Sequence, residues 1–360
     1  MANVNDVARL AGVSAMTVSR TFNHPHQVRP LTRERVLRAV AQLEFRPDRR
    51  ARSLVMGNSD TIAVFVPSVL NPFFGRVMLG VTDTAAPAGF NVFLCYSDAP
   101  QHVERQLDAI IGLNVDGAVF FDMNITLQQL QRLQRAGVAC VLVDNETDIA
   151  ATDWLRTDSV AGGELATSHL VELGHRRIAH VHGALQPERV PGGVSFEGQF
   201  QRRIWQERFQ GYLNIMRQAG LPVNQRLIVE GDGTTEGGVA GGRRAMTALL
   251  RETAPPSAVY AANDLMAIGA LQACREQRYR VPEDISIIGF DDIEVCSLVD
   301  PPLSTVRQKR HELGRQAIEL LLDTISRRAP RAGLCIKPEL VIRNSTARGA
   351  DSADSAGGQQ

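Results

Sequence analysis

Apolar positions at the start of the chain recur at helical spacing. Val4, Val7, Ala8 and Ala11 share one face, behind Asn3 as a helix cap, with Asp6 three residues on to meet the positive helix start. Gly12-Val13-Ser14 interrupts the pattern as a tight turn. Ser14 then caps a second short helix, Ala15 to Phe22, with Val18 and Phe22 facing inward. After Asn23-His24-Pro25-His26-Gln27, Pro30 suits the first turn of a third helix. That helix runs to about Leu43 and carries Val36, Leu37, Val40 and Leu43 on one stripe. Three short helices, the second reached by a glycine turn, predict a helix-turn-helix, against the blander alternative of a helical cap with a solvated basic face.

From Thr61 the pattern changes to short apolar runs separated by amphipathic stretches. Strands are predicted at Ile62–Val66, Asn91–Tyr96, Gly117–Phe121, Ala139–Val143, Ile178–Val181, Ala258–Ala261 and Ile285–Gly289. Helices are predicted at Phe73–Ala86, His102–Leu113, Leu127–Ala136, Ala161–Leu173 and Gly269–Arg275. The alternation predicts an α/β body of two doubly wound parallel sheets, dividing near Asp158. Ligands of such sheets bind outside the carboxyl ends of the strands, here in a cleft between two lobes.

Composition adds a division of charge. The whole chain is formally neutral, yet residues 1–56 hold ten arginines against four acids, a net of +6 that leaves the remainder at −6. A small basic head on a larger acidic body is the footprint of a DNA-reading module joined to something else. With 44% apolar and 22% charged residues the chain has globular composition, and no apolar run approaches the ~20 residues that span a bilayer. Met1-Ala2-Asn3-Val4-Asn5 lacks the basic start and apolar core of a secretory signal. Five widely spaced cysteines, with no C-x-x-C pair, argue against a disulfide framework or zinc site. The expected compartment is the cytoplasm.

The run Val7-Ala8-Arg9-Leu10-Ala11-Gly12-Val13-Ser14-Ala15-Met16-Thr17-Val18-Ser19-Arg20 closely resembles the DNA-binding signature of the lactose-repressor (LacI/GalR) family. The resemblance implies that Ala15, Met16 and Arg20 face base edges in the major groove, while Thr17, Ser19 and Asn23 hold phosphates and fix register. Arg29 departs from the family, which often has a capping Ser there; Pro30 compensates in part. Ala51-Arg52-Ser53-Leu54 resembles the family's hinge helix. Too short to be stable alone, it would pair with its twin in the minor groove, with Ala51 and Ser53 at the DNA and Leu54 wedged between base pairs. Across the body, Asn71-Pro72-Phe73-Phe74, Leu173-Gly174-His175-Arg176-Arg177-Ile178, Ala262-Asn263-Asp264-Leu265-Met266-Ala267-Ile268-Gly269, Ile288-Gly289-Phe290-Asp291-Asp292 and Asp300-Pro301-Pro302-Leu303-Ser304-Thr305-Val306 stand in the family's order, and beyond the family the body resembles periplasmic sugar-binding proteins.

The implied organisation is a head at 1–46, a hinge at 47–60, a body at 61–346 and a disordered tail at 347–360 without a tetramerising coiled coil. The first lobe would hold about 61–158 and 293–327, and the second about 159–292 and 328–346. Three crossings between lobes are implied, with Ile293–Arg327 returning to the first lobe and a hairpin over Leu334–Arg343 in the second. The effector would meet Phe73, Phe74, Asp122, Asp144, Asn263, Asp291 and Arg208, the last at the opening of an Arg-Phe-Gln-Gly-Tyr turn. Carboxylates, an amide and a forked guanidinium read hydroxyls at fixed angles, and aromatic faces stack on sugar rings. Gly233 stands where many sugar-responsive relatives carry an aromatic. The long segment from Gln186 to Gln206, with Phe196, Phe200 and Trp205, either returns that aromatic surface or is a surface insertion.

The function expected is repression of a carbohydrate or sugar-acid utilisation operon by a homodimer on a near-palindromic double-stranded operator, released by a sugar or sugar acid. The alternative effector is a corepressor such as a nucleobase. A transporter's solute-binding protein shares the body but predicts a signal peptide and no basic head. An enzyme has no foothold, since no nucleotide-binding loop, nucleophile elbow or zinc-protease motif occurs. No cofactor, metal or membrane contact is expected. His180 and His182 share one strand face without a completing ligand set, and His175 is read as structural.

Overall fold

The computed structural model describes residues 2–45, 58–96, 100–123, 125–145, 152–183, 189–190, 193–194, 202–232, 238–327 and 333–349. The hinge residues Ala51, Ser53 and Leu54, with Gly233, Phe196, Phe200 and the last eleven residues, lie outside that set. The chain forms two compact units, one up to Ser59 and one from Asp60.

The first unit consists of helices α1 (Val4–Ala11), α2 (Ala15–Asn23) and α3 (Pro30–Gln42), with a 3-10 turn at Pro25–Gln27 between the last two. Asn3 accepts from the backbone of Asn5 and Asp6 while Asp6 accepts from Asn3 N at 2.9 Å, a reciprocal capping box. Gly12, at φ 64°, ends α1 in the left-handed conformation that the turn into α2 requires. Ser14 Oγ accepts from Thr17 N at 3.2 Å. Arg29 makes no side-chain cap to α3, as its departure from the usual Ser implies. Val7, Ala8, Ala11, Val18, Val36 and Ala39 form the core, and Phe22, Val40 and Leu43 pack around it.

The second unit is two sheets sheathed in helices. The first sheet is ordered β13-β5-β4-β3-β1-β2, from Leu334–Ile336, Asp153–Thr157, Ala139–Val143, Gly117–Phe121, Thr61–Val66 and Asn91–Tyr96, every pairing parallel. The second is ordered β14-β12-β11-β10-β6-β9, from Glu339–Val341, Ser304–Arg307, Ser286–Asp291, Ala258–Ala261, Ile178–His182 and Ile228–Glu230. All its pairings are parallel except β12 with β14. A separate two-strand hairpin joins β7 (Arg189–Val190) to β8 (Gly193–Val194). Central strands are buried on both faces, which is why they read as unbroken apolar runs. Helices α4 (Pro72–Ala85), α5 (Pro100–Gly112), α6 (Leu127–Arg135) and α11 (Arg310–Arg327) belong to the first lobe. Helices α7 (Ser159–Glu172), α8 (Arg202–Gln218), α9 (Gly238–Leu249) and α10 (Asp264–Glu276) belong to the second.

The chain crosses between lobes at Asp158, at Gln308-Lys309 and at Lys337-Pro338, and this corrects three expectations. The segment from Ile293 does not return at once to the first lobe, because β12 first pairs with β11 from Ile288↔Ser304 to Asp291↔Arg307. The expected hairpin over Leu334–Arg343 is divided between lobes: β13 lies parallel to β5, and only β14 joins the second sheet. Ala347 and Gly349 are not tail. Ala347 N donates to Ser286 Oγ at 3.0 Å, its carbonyl meets His175 Nε2, and Gly349 N donates to Leu173 O at 2.9 Å. Each of these bonds engages the backbone of Ala347 or Gly349 over a long sequence separation, which the polarity of that segment's side chains does not signal.

Candidate effector cleft and DNA-reading helix

On α2, Val18 is fully buried and Thr21 nearly so, which turns Met16, Ser19 and Arg20 outward; Met16 is 63% exposed. Ala15 is half-buried against the head's core, and the Thr17 hydroxyl meets Ser14 Oγ at 3.0 Å. Asn23 closes the helix, and its side chain lies outside the described residues. Met16 and Arg20 therefore reach furthest from the helix, with the smaller Ala15 beside them.

In the second unit, Phe73, Phe74, Asp122, Asp144, Arg208, Asn263 and Asp291 line one cavity between the lobes, together with Asn71, Ile204, Trp205 and Gln308. The space remaining is about 40 Å³, room for about three water molecules. The first lobe contributes the start of α4, where Asn71 Oδ1 accepts from Phe73 N at 3.0 Å and the rings of Phe73 and Phe74 meet edge to face. Asp122 and Asp144 follow β3 and β4 at φ 49° and 52°, conformations that Asp tolerates better than most residues and that carry strain. Their amides bond onward to Val143 O and Leu155 O, fixing each carboxyl at the sheet's edge. Asp144 Oδ1 accepts from Thr157 N at 2.7 Å. Burial pushes its carboxyl up to about 6 against the lowering pull of that bond and of Arg208; Glu207 and Arg156 act on it in opposite directions.

The second lobe contributes Asn263, whose side chain caps α10 through Met266 N at 2.7 Å, and Asp291 at the end of β11. Arg208 does not open a turn; it lies within α8, because Arg202–Gln218 folds as one helix. Its position depends on Gly163 of α7, where a Cβ would lie 2.3 Å from the Arg208 carbonyl oxygen, so the two helices touch backbone to backbone. The buried guanidinium donates to Ala262 O at 2.6 Å and to Asp291 Oδ1 at 3.4 Å, and it stacks 3.8 Å from the Phe290 ring centre. Its Nε–H has no acceptor among the described residues. Asp291 also accepts from Gln308 Nε2 at 2.7 Å, and burial raises its carboxyl despite the nearby Arg208 cation. Gln308 lies on a crossing segment and so ties the cavity to the join between lobes. Sequence reasoning did not select it, and only the sheet topology brings it in. Asn71 had a signal, as the residue before Pro72 in a quoted motif.

Asp264, beneath Asn263, accepts from Thr305 Oγ1 at 2.6 Å and Ile293 N at 2.9 Å; burial and its neighbour Asp291 push it up to about 7. His180 stacks with Phe209 and Tyr212, and the His182 ring lies tilted against Phe209; burial holds the His180 imidazole well below its ordinary range. His175 pins Ser257, Ser286 and Ala347 together. No helix among the described residues is long and apolar enough to cross a membrane.

A three-helix reading head followed by a two-lobed α/β body with a polar cleft defines a ligand-responsive DNA-binding regulator. Residues 3–48 match the model of the bacterial regulatory proteins of the lacI family, and residues 167–346 match a periplasmic binding protein-like domain. The chain belongs to the lacI family of transcriptional regulators, whose members here are repressors and not catalysts. It is 33% identical over 350 residues to the HTH-type transcriptional repressor PurR of Haemophilus influenzae (strain PittEE), covering 96% of this chain and 98% of that protein. It is 34% identical over 348 residues to the HTH-type transcriptional repressor CytR of Escherichia coli K12, covering 96% of each. Among solved structures it resembles the lac repressor dimer bound to operator and the anti-inducer ONPF, with a TM-score of 0.81 and 26% identity over 96% of this chain and 99% of that one. It also resembles the transcriptional regulator CelR in its cellobiose complex, with a TM-score of 0.68 and 31% identity over 96% of this chain and all of that one.

Proposed function

We propose that the chain represses, from the cytoplasm and as a two-fold dimer on a near-palindromic operator, genes for the use of a small ring compound that binds in the cleft. The observation that carries this is the cavity itself: residues from both lobes and from the crossing residue Gln308 converge on it. Only about 40 Å³ is free there, so a ring-sized ligand has to displace lining side chains or change how the lobes sit. A ligand with unequal affinity for two lobe geometries shifts their balance by that difference, and in this family's architecture the hinge and head follow. Met16 and Arg20 are the base-reading side chains, with Ala15 beside them. Thr17, Ser19 and Asn23 are phosphate contacts, and Ala51, Ser53 and Leu54 are the hinge's contribution. The partner protomer covers the edge strand β2, where Phe93, Leu94 and Tyr96 are exposed, as is Leu79 on α4.

The test selects an operator from random duplexes with the full-length protein, then titrates sugars, sugar acids, polyols and nucleobases into the complex. Thermal shift is read in parallel, since ligands of the folded state raise its melting temperature. The reading expects a near-palindromic site and at least one compound that both stabilises the protein and changes its operator affinity. Selection of no sequence over random DNA would overturn it.

A further inference from the structure

Outside the cleft, the second unit carries an open groove of about 960 Å³ across the join between the lobes. The first lobe lines it with Arg76 on α4, the start of α11 and the end of β13, and the second with Asp292 to Ser297, Arg307 and Arg343. The crossing residues Gln308 and Lys309 run through it. Five lining side chains are fixed cations, Arg76, Arg307, Lys309, Arg310 and Arg343, against the three carboxylates of Asp292, Glu294 and Glu312. The chain from residue 57 onward carries a net charge of −6, so this cationic excess is local and opposite in sign to its surroundings. A concave surface lined by one sign of charge focuses its field and gathers counter-ions.

The carboxylates inside the groove are shared or already taken. Asp292 accepts from Arg307 Nε at 2.7 Å and from Arg343 Nη2 at 2.6 Å, one carboxylate between two guanidiniums. Glu294 accepts from Arg310 Nη1 at 3.1 Å. Burial pushes the Glu294 carboxyl up, yet the Arg310 bond and the Arg76 charge bring it below its ordinary value. Glu312 accepts from Arg315 Nε at 2.9 Å, a cation outside the lining. Arg310 is buried and Arg343 half-buried, whereas Arg76, Arg307 and Lys309 are exposed, so an anion meets fixed donors behind solvated ones that can turn to it. The groove is also joined to the cleft. Gln308 lines both, and its Nε2 donates to Asp291 at 2.7 Å. The adjacent residues Asp291 and Asp292, at φ 120° and 55°, line the cleft and the groove respectively. Such strained backbone persists only where its surroundings hold it.

We propose that this groove is a second ligand site, for a compact polyanion such as a phosphate ester or a polycarboxylate, and that an anion bridging the lobes there biases their geometry from outside the cleft. Forked guanidiniums match the oxygens of phosphate and carboxylate, and Lys309 adds a point charge. The full-length protein is titrated by calorimetry with tripolyphosphate, glucose 6-phosphate and citrate at constant ionic strength, with glucose and sodium chloride as controls. Phosphate and carboxylate arms separate the two sources of the same chemistry. At least one polyanion should bind saturably, raise the melting temperature, change affinity for the selected operator and weaken as salt rises. Arg76→Gln with Lys309→Gln removes two exposed cations and should leave the unliganded melting temperature in place while weakening that polyanion by roughly tenfold. Arg20→Ala in the head should not weaken it. No saturable binding at about 10 mM, a level that detects even millimolar affinity, would overturn the site. Binding untouched by the groove variant, lost in Arg20→Ala, reproduced by sodium chloride or displaced by glucose would place the anion elsewhere and overturn it equally. An anion held in the groove with operator affinity unchanged would overturn the bias on the lobes. Calorimetry and melting test the groove whether or not the reading of the cleft stands.

Discussion

On the proposed reading of the cleft Arg208 serves both stability and ligand response, and replacing it should separate the two in a measurable order. Alanine removes the bond to Ala262 O, the pairing with Asp291 and the ring contacts with Phe290 and Trp205, all in a residue 4% exposed. Breaking a buried pair by deleting one partner costs about 3–5 kcal/mol, because the other charge is left uncompensated. Asp291 limits that loss. Gln308 still donates to it, and its carboxyl, already raised by burial, takes up a proton more readily once the cation is gone. A loss near 3 kcal/mol is therefore expected, a fall in Tm of roughly 6 °C for a unit of this size. Replacing both partners, Arg208→Met with Asp291→Asn, leaves no orphan charge and should recover most of that Tm. The double variant should still bind operator, yet need at least tenfold more effector to respond, since a bond to a charged group contributes roughly 1.5–3 kcal/mol. Melting curves and gel-shift titrations with effector read both quantities. A single variant melting within about 1 °C of wild type, or a double variant responding at wild-type effector concentrations, would refute the reasoning.

If Asp144 receives the effector, binding should be pH-dependent. Its carboxyl stands at about 6, and a ligand hydroxyl donating to the ionised form lowers that value, so binding releases a proton. Affinity is then full above pH 7 and falls by up to tenfold per pH unit below 6; calorimetry in two buffers at pH 6 counts the proton, and constant affinity from pH 5 to 8 would exclude the contact. Arg20→Ala should weaken the selected operator by about 1–3 kcal/mol with effector binding intact, provided Arg20 reads a base; an equal loss on random DNA would make it a phosphate contact instead. Gly163→Val puts atoms where the Arg208 carbonyl lies and should destabilise the second lobe by about 1–3 kcal/mol, visible as a lowered Tm and blunted effector response before operator binding suffers. Phe93→Asp on the exposed edge of β2 should yield monomers by light scattering and lose the palindromic site; a stable dimer would move the interface elsewhere.

What could be read along the chain was whatever local chemistry decides. Asn3, Ser14 and Gly12 mark the head's helix ends because a cap or a left-handed turn involves residues at most three or four apart. The unbroken apolar runs of β1, β3 and β4 announce strands covered on both faces, and motif order places Phe73, Asp122, Asp144, Asn263 and Asp291 at strand or helix ends. β5 escaped because Asp153-Trp154-Leu155-Arg156-Thr157 alternates between buried and half-buried positions, and β9 and β12 because three- and four-residue strands carry too little pattern. Only the tertiary structure decided which lobe β12 and β13 join, since sheet pairing is made by backbone groups that are the same in every residue. The same holds for Gln308 and for Trp205 in the space that Gly183 leaves, contacts between segments distant in sequence. The raised carboxyls of Asp144, Asp264 and Asp291 belong there too: a side chain's ionisation depends on what excludes water from it, and that is settled when the lobes pack.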